Sequence, residues 1–103
     1  MYLLGIDIGT NGTRALVIDH QGRVIMSGTE DHAPFTSPQI GWAEQQPEDW
    51  WRACCVVVRK ALRVGNITGH NIAGIGLSGQ MHGAVMLDRH DRPVRAALID
   101  GPT

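Results

Sequence analysis

Near its beginning the chain reads Asp7-Ile8-Gly9-Thr10-Asn11-Gly12-Thr13-Arg14. Before this stretch, Leu4, Ile6 and Ile8 alternate with other residues, a pattern typical of a strand with one buried face. After it, residues 14–19 form a nearly continuous apolar run, which predicts a strand covered on both faces. Because Asn-Gly is a strong hairpin signal, the stretch predicts a tight turn between two antiparallel strands.

The same eight residues carry groups that suit phosphate and a divalent cation. Glycine lets a backbone approach a ligand closely, and successive N–H groups with threonine hydroxyls can donate to phosphate oxygens. A carboxylate can hold Mg²⁺ through waters beside a polyphosphate. The predicted metal-binding residue is therefore Asp7, and the predicted phosphate-binding residues are Gly9, Thr10, Asn11, Gly12, Thr13 and Arg14.

An alternative is that the stretch is only a turn, with Asp7 capping it through local hydrogen bonds. The ligand-binding interpretation is favoured by the position of Asp7, which follows Leu4 and Ile6 in a strand expected to be buried. A buried charge is costly unless a charged group occupies the site.

The rest of the pattern predicts one main helix between strands. A third antiparallel strand is predicted over 24–29, an irregular loop over 31–46, and a helix over about 47–64 that opens on Pro47 and stops at Gly65. Residues 72–78 predict a buried central strand parallel to the first, and 84–88 with 94–99 predict a hairpin. The helical spacing assigns these residues to the buried face of the helix: Trp51, Cys55, Val58 and Leu62, broadened by Trp50, Cys54, Val57 and Ala61.

A second constellation follows the parallel strand, where residues 77–84 read Leu-Ser-Gly-Gln-Met-His-Gly-Ala. An amide, a thioether and an imidazole in one turn suit a polyol, which has hydroxyls on one side and C–H groups on the other. The predicted sugar-binding residues are Gln80, Met81 and His82. The alternative is that Met81 packs in the core and His82 faces water.

These motifs resemble the FGGY carbohydrate kinases. Residues 7–14 resemble the first phosphate motif of the actin-like ATPases, residues 80–83 are most similar to the xylulokinase branch, and residues 41–51 match the segment before the family's first long helix. The resemblance implies an α/β lobe of ribonuclease H-like fold in the order β-β-β-α-β-β-β, with ATP and Mg²⁺ as cofactors. It also implies phosphate transfer to a ketose or polyol hydroxyl, D-xylulose above all, with Met81 and His82 contacting the sugar and Trp42 and Glu44 as weaker pocket candidates.

Composition excludes several classes of partner. Nine basic and ten acidic residues give a net charge of −1, which offers no footprint for nucleic acid or an anionic membrane. No apolar run approaches a membrane span, and Met1 is followed at once by a strand pattern, so we expect a cytoplasmic protein with small-molecule ligands. Cys54 and Cys55 are adjacent on the helix and are expected to be unpaired thiols.

A chain of 103 residues is long enough for one lobe of a kinase. In the family the catalytic aspartate lies further downstream, and residues 100–103 match no family segment. We therefore expect a truncated N-terminal domain without turnover of its own, with apolar surface exposed for self-association. The alternatives are a non-catalytic fragment or degraded reading frame that binds ligands weakly, and a nuclease of the same fold.

Overall fold

The computed structural model describes residues 1–79 and 83–99. It contains β1 (Tyr2–Ile8), β2 (Gly12–Asp19), β3 (Val24–Asp31), β4 (Glu44–Gln45), α1 (Pro47–Val64), a 3₁₀ turn (Gly69–Asn71), β5 (Ile72–Gly79) and β6 (Ala97–Leu98). The predicted sugar-binding residues Gln80, Met81 and His82 lie outside the described residues, as do residues 100–103.

The main sheet has the strand order β3-β2-β1-β5. β2 is antiparallel to both β1 and β3, whereas β5 is parallel to β1. The parallel pair is reached through α1, because a parallel neighbour requires a crossover connection. The predicted fold class, a mixed sheet with one main helix, is confirmed.

The core lies between α1 and one face of this sheet. Leu4 and Ile6 of β1 and Ala15 and Val17 of β2 pack there with Val57, Ala61 and Ile67 from α1 and the segment after it. Burying a side chain of valine or leucine size contributes about 1.5–3 kcal/mol. The alternation in β1 therefore predicted the buried face correctly.

The other face of the sheet is open in the described part of the chain. Leu16 and Ile18 of β2 are only half-buried on that side, so the prediction that β2 is covered on both faces is wrong for this chain.

The predicted central strand β5 lies at the end of the described sheet order, and Ile75 and Leu77 are 62% and 76% exposed. They remain uncovered because α1 packs mainly over β2 and β3.

The helix begins and ends close to the predicted residues. Pro47 opens it, Glu48 and Asp49 occupy the first turn, and Arg63 lies in the last turn, each matching the sign of the helix dipole. Its buried residues are Ala53, Val57 and Ala61, with Cys54, Val58 and Leu62 packed beside them.

One member of the predicted helix face is misplaced. Trp51 is 70% exposed, because it is six residues from Val57 and therefore about 120° away around the helix. Of the two predicted sets of helix residues, the set with Trp50, Cys54 and Val57 describes the buried face better. Cys54 and Cys55 are both free thiols, as predicted, and burial raises the pKa of the Cys54 thiol.

The helix ends in a Schellman motif. The N–H of Asn66 donates to the carbonyl of Arg63 (3.2 Å) and the N–H of Ile67 to that of Leu62 (2.9 Å). Asn66, with φ of 53°, takes the left-handed position, whereas Gly65 has φ of −75°. Gly65 is needed for space instead, since a Cβ there would lie 2.9 Å from Met26 Cγ and 3.1 Å from the Ala61 carbonyl oxygen.

A second, smaller sheet joins the loop before α1 to the end of the described chain. β4 pairs antiparallel with β6, so the predicted irregular loop 31–46 contains a strand. The predicted hairpin 84–99 is present as bridges between Ala84 and Leu98 and between Leu87 and Pro93. Ala43, Ala97 and Ile99 form the buried centre of this unit.

Candidate functional site

Three polar residues meet where β1, β2 and β5 lie side by side. Asp7 pairs with Arg14 on β2 and with Ser78 on β5. All three are exposed. Together with Gly5, Ile6, Leu16, Gly76 and Leu77 they line an open concavity of about 470 Å³ on the uncovered face of the sheet.

Asp7 is not the buried acid that the sequence suggested. Successive residues of a strand point to opposite faces, so Leu4 and Ile6 enter the core while Asp7 faces the open side. The expected cost of burying its charge is therefore absent. What the structure provides is an accessible carboxylate beside an accessible guanidinium.

The turn between β1 and β2 is closed by a hydrogen bond from the N–H of Gly9 to the carbonyl of Gly12 (2.9 Å). In the described residues positive φ values occur at Gly22, Gly41, Asn66 and Asp91, so Asn11 and Gly12 do not adopt the left-handed conformation that is common for Asn-Gly in two-residue hairpin turns. Gly12 is required for another reason. A Cβ there would lie 2.8 Å from the backbone oxygen of Glu30 on β3.

A buried chain of polar contacts, here called the hairpin network, runs beneath this turn through Thr13, His32, Thr10, Gln45 and Trp50. Thr13 Oγ1 lies 2.7 Å from His32 Nε2, and His32 Nδ1 lies 3.3 Å from the Thr10 carbonyl oxygen. Gln45 Nε2 donates to that oxygen at 2.6 Å, and Trp50 Nε1 donates to Gln45 Oε1 at 3.0 Å. The network thus ties the hairpin to β4 and to the first turn of α1.

The network corrects one predicted ligand. Thr13 is fully buried on the helix-facing side of β2, and its hydroxyl is bound to His32, so it is not directed toward a phosphate. Asn11 and Arg14 are exposed and Thr10 is half-buried. These residues, with the backbone of Gly9 and Gly12, stay the predicted phosphate contacts.

Three members of the network were not predicted as functional. His32 follows β3, Gln45 lies in the two-residue β4, and Trp50 was assigned only to the helix face. No periodic pattern or spacing in the sequence links these residues, because they lie in three separate segments that only the fold brings together. The one available signal was a histidine directly after a strand, which is common in loops of no special role.

Arg52 fixes the start of α1 against the end of β3. Its guanidinium donates to Asp49 (2.7 Å), Glu30 (3.0 Å) and the backbone oxygen of Asp31 (2.9 Å). The hydrogen bond from Arg52, with one from the N–H of Ala33, holds the pKa of Asp49 below its usual value. A lowered pKa means that this pairing stabilises the fold above the ordinary aspartate pKa and is lost as pH falls through the folded value.

The weaker pocket candidates have other partners. Glu44 is ion-paired with Arg95, whose guanidinium lies 5.6 Å from the centroid of the Trp42 ring. These three residues fasten the loop before β4 to the segment before β6. Neither Trp42 nor Glu44 lines the concavity at Asp7.

We predict that Thr13→Val destabilises the chain more than Thr13→Ser. Valine has the shape of threonine but leaves His32 Nε2 buried without its hydroxyl partner, which costs about 1–3 kcal/mol. Serine keeps the hydroxyl and loses one methyl group, worth about 0.8 kcal/mol. Urea unfolding of the two variants measures the difference, and a valine variant as stable as wild type would show that the hydroxyl does not hold the network.

Within residues 1–79 and 83–99 no three His, Cys, Asp or Glu side chains come together as a metal site. Over the same ranges no helix is both long and apolar enough to cross a bilayer.

Comparison with known proteins gives consistent matches. Residues 2–100 match the N-terminal domain of the FGGY family of carbohydrate kinases. The chain is 40% identical over 99 residues to a xylulose kinase of Klebsiella pneumoniae, covering 96% of this chain and 20% of that protein. It is 36% identical over 99 residues to a glycerol kinase of Clavibacter michiganensis subsp. michiganensis, covering 95% of this chain and 19% of that protein.

A solved structure shows the same arrangement. The crystal structure of a xylulose kinase from Rhodospirillum rubrum superposes with a TM-score of 0.87 at 25% identity, over 99% of this chain and 21% of that one. The chain thus spans about 20% of the length of the relatives it matches.

Proposed function

Since the chain belongs to the FGGY family of carbohydrate kinases, we propose that it supplies the nucleotide-phosphate hairpin and part of the sugar-binding surface of an ATP-dependent kinase. The reaction is transfer of the ATP γ-phosphate to a hydroxyl of a ketose or polyol, with D-xylulose as the first candidate. The protein acts on small molecules in the cytoplasm.

The placement of Asp7 beside Arg14 at the mouth of the hairpin carries this proposal. Phosphoryl transfer depends on positioning and on neutralising phosphate charge rather than on covalent chemistry by the protein. Arg14 offers a guanidinium that can pair with phosphate oxygens. Asn11, exposed in the turn, adds a backbone N–H that can donate to a phosphate oxygen.

Asp7 suits Mg²⁺ in the presence of a polyphosphate. Mg²⁺ keeps several waters and is commonly held by one or two carboxylates plus substrate phosphates, and Asp7 is the one acid among the described residues that line the concavity. Bound there, Mg²⁺ would neutralise charge on the phosphoryl oxygens. An accessible single carboxylate fits that role better than a closed cage of protein ligands.

The sugar is assigned to residues 80–82, which follow β5 in the sequence. Ile8 and Gly79 are partners at the ends of β1 and β5, so β5 ends next to the start of the phosphate hairpin. Gln80, Met81 and His82, which follow β5 in the sequence, are proposed to contact the sugar. A xylulose kinase and a glycerol kinase among the similar proteins are consistent with a ketose or polyol.

We expect no steady turnover from the 103-residue chain alone. Phosphoryl transfer needs a base to accept the hydroxyl proton, and Asp7, proposed to face the metal, is the one acid that the described residues place in the concavity. Of the alternatives, a non-catalytic ligand binder describes this chain in isolation. A nuclease, which needs several converging carboxylates, has no such cluster within the described ranges.

The test is a titration of the ¹⁵N-labelled chain followed by NMR. Mg·ATP is expected to shift the amide signals of residues 9–14, and D-xylulose, D-ribulose and glycerol are then compared through the His82 imidazole signals. Asp7→Asn should weaken the Mg²⁺-dependent part of ATP binding, with Asp88→Asn, remote from the concavity, as the matched control. Absence of any shift with Mg·ATP would overturn the phosphate assignment, and absence with every sugar would overturn the sugar assignment.

A further inference from the structure

The hairpin network holds one carbonyl group from two sides. The Thr10 carbonyl oxygen lies 2.6 Å from Gln45 Nε2 and 3.3 Å from His32 Nδ1. A carbonyl oxygen only accepts hydrogen bonds, so both nitrogens must donate to it. In the neutral imidazole this places the proton on Nδ1 and leaves Nε2 to accept from the Thr13 hydroxyl, 2.7 Å away.

The Gln45 amide is oriented from its other end by Trp50. An indole N–H can only donate, and Trp50 Nε1 lies 3.0 Å from Gln45 Oε1. The amide oxygen must therefore face the indole, which turns the NH₂ group toward Thr10. Gln45 and His32 are 6% and 8% exposed, so water has little access to compete for these bonds.

The consequence for the hairpin follows from peptide geometry. In a planar trans peptide the C=O and the following N–H point in opposite directions, and the chain has no cis bond in its described part. Because the Thr10 carbonyl is held toward the network, the Asn11 N–H points away from it. Among the backbone hydrogen bonds of residues 1–79 and 83–99, none is donated by that N–H.

We propose that His32 and Gln45 are positioning residues that hold the Thr10–Asn11 peptide so that the Asn11 N–H is presented to a phosphoryl oxygen of the nucleotide. This rests on the proposed function and adds to it the device that orders the hairpin before the nucleotide binds. The gain is that the donor is fixed in advance, so binding does not have to order the peptide.

Gln45→Met is the sharpest variant for the test. Methionine has a similar size but no donor for the Thr10 carbonyl, so one of the two hydrogen bonds that hold this carbonyl is lost while packing is kept. The matched control is Gln46→Met, the same change one residue later at an exposed side chain that makes no capping hydrogen bond. Trp50→Phe is a second route, since it removes the indole donor that orients the Gln45 amide and keeps an aromatic ring at that position.

The measurement is binding of Mg·ATP and of inorganic tripolyphosphate to the 103-residue chain, followed through the Asn11 amide signal. Gln45→Met is expected to bind both about three- to tenfold more weakly, the size expected for loss of one ordered hydrogen bond. Trp50→Phe should show a smaller loss, and Gln46→Met should bind as wild type does. Dispersed amide spectra establish that each variant is folded.

A spectroscopic signature tests the network apart from affinity. In the neutral form of the ring, the imidazole ¹⁵N shifts of His32 should report a protonated Nδ1 and an unprotonated Nε2. The Asn11 amide hydrogen should shift on adding tripolyphosphate in the wild-type chain. A change in folding stability alone would produce neither signal.

The outcomes separate the two proposals. Equal polyphosphate binding by wild type, Gln45→Met and Trp50→Phe would overturn the positioning role while leaving the proposed function in place, and so would a His32 protonated on Nε2 alone. No polyphosphate binding by the wild-type chain would overturn the proposed function, and the role toward phosphate would fall with it.

Discussion

Replacing Gly12 by alanine is expected to lower the free energy of unfolding by about 1–3 kcal/mol, the range for forcing an extra carbon into packed structure. The new Cβ would lie 2.8 Å from the backbone oxygen of Glu30 and 3.3 Å from Thr29 Cγ2. The nearest atom belongs to the β3 backbone, so it cannot move aside as a flexible side chain would. Strands β2 and β3 must separate locally instead.

Thermal unfolding followed by circular dichroism measures this effect, with a decrease in Tm of roughly 4–20 °C expected for a domain of this size. The matched control is Gly69→Ala, because a Cβ there meets no atom within 4 Å and Gly69 has no positive φ. Surface changes of that kind stay within about 0.5 kcal/mol. Equal Tm values for the two variants would contradict the close approach of β3 to the hairpin.

Gly12 shows how much of the hairpin's structure the sequence could predict. The dipeptide Asn11-Gly12 placed the turn correctly, and the alternation around Leu4 and Ile6 gave the buried face of β1. The sequence alone does not say why residue 12 is glycine, because a left-handed conformation and a close strand neighbour both select glycine and leave the same letter in the sequence. Only the position of β3 distinguishes them.

The sequence predicted the positions of the strands better than it predicted which strand faces are exposed. A continuous apolar run indicates cover on both faces, yet Leu16 and Ile18 of β2 and Leu77 of β5 face space that no described element fills. The pattern reflects the environment for which the sequence was selected, and the chain spans about 20% of its relatives' length. Sequence periodicity alone does not say which covering elements are present.

The hairpin network was beyond prediction for a different reason. His32, Gln45 and Trp50 lie in three separate segments, and each is a residue type usually found partly exposed. Their burial is tolerated because no buried side-chain nitrogen or oxygen in the described part of the chain lacks a hydrogen-bond partner. Such pairing is a property of three-dimensional contact and has no period along the chain.

The wild-type chain is expected to associate, and the double variant Ile75→Ser, Leu77→Thr is expected to be a monomer. Both side chains are more than half exposed on β5, and β5 ends the described sheet order. An apolar edge strand of this kind favours pairing between copies. Light scattering at high protein concentration should give a mass well above 11.2 kDa for wild type and the monomer mass for the double variant.

Ile40→Ser is the control that separates a specific surface from general hydrophobicity. Ile40 is fully exposed, but it lies in the loop before β4, remote in sequence from the sheet edge. Removing it should leave association unchanged if β5 is the contact, because a single exposed apolar residue is ordinary on protein surfaces. A wild-type chain that is already monodisperse at 11.2 kDa would contradict the prediction. Loss of association in Ile40→Ser but not in the double variant would place the contact at the loop instead.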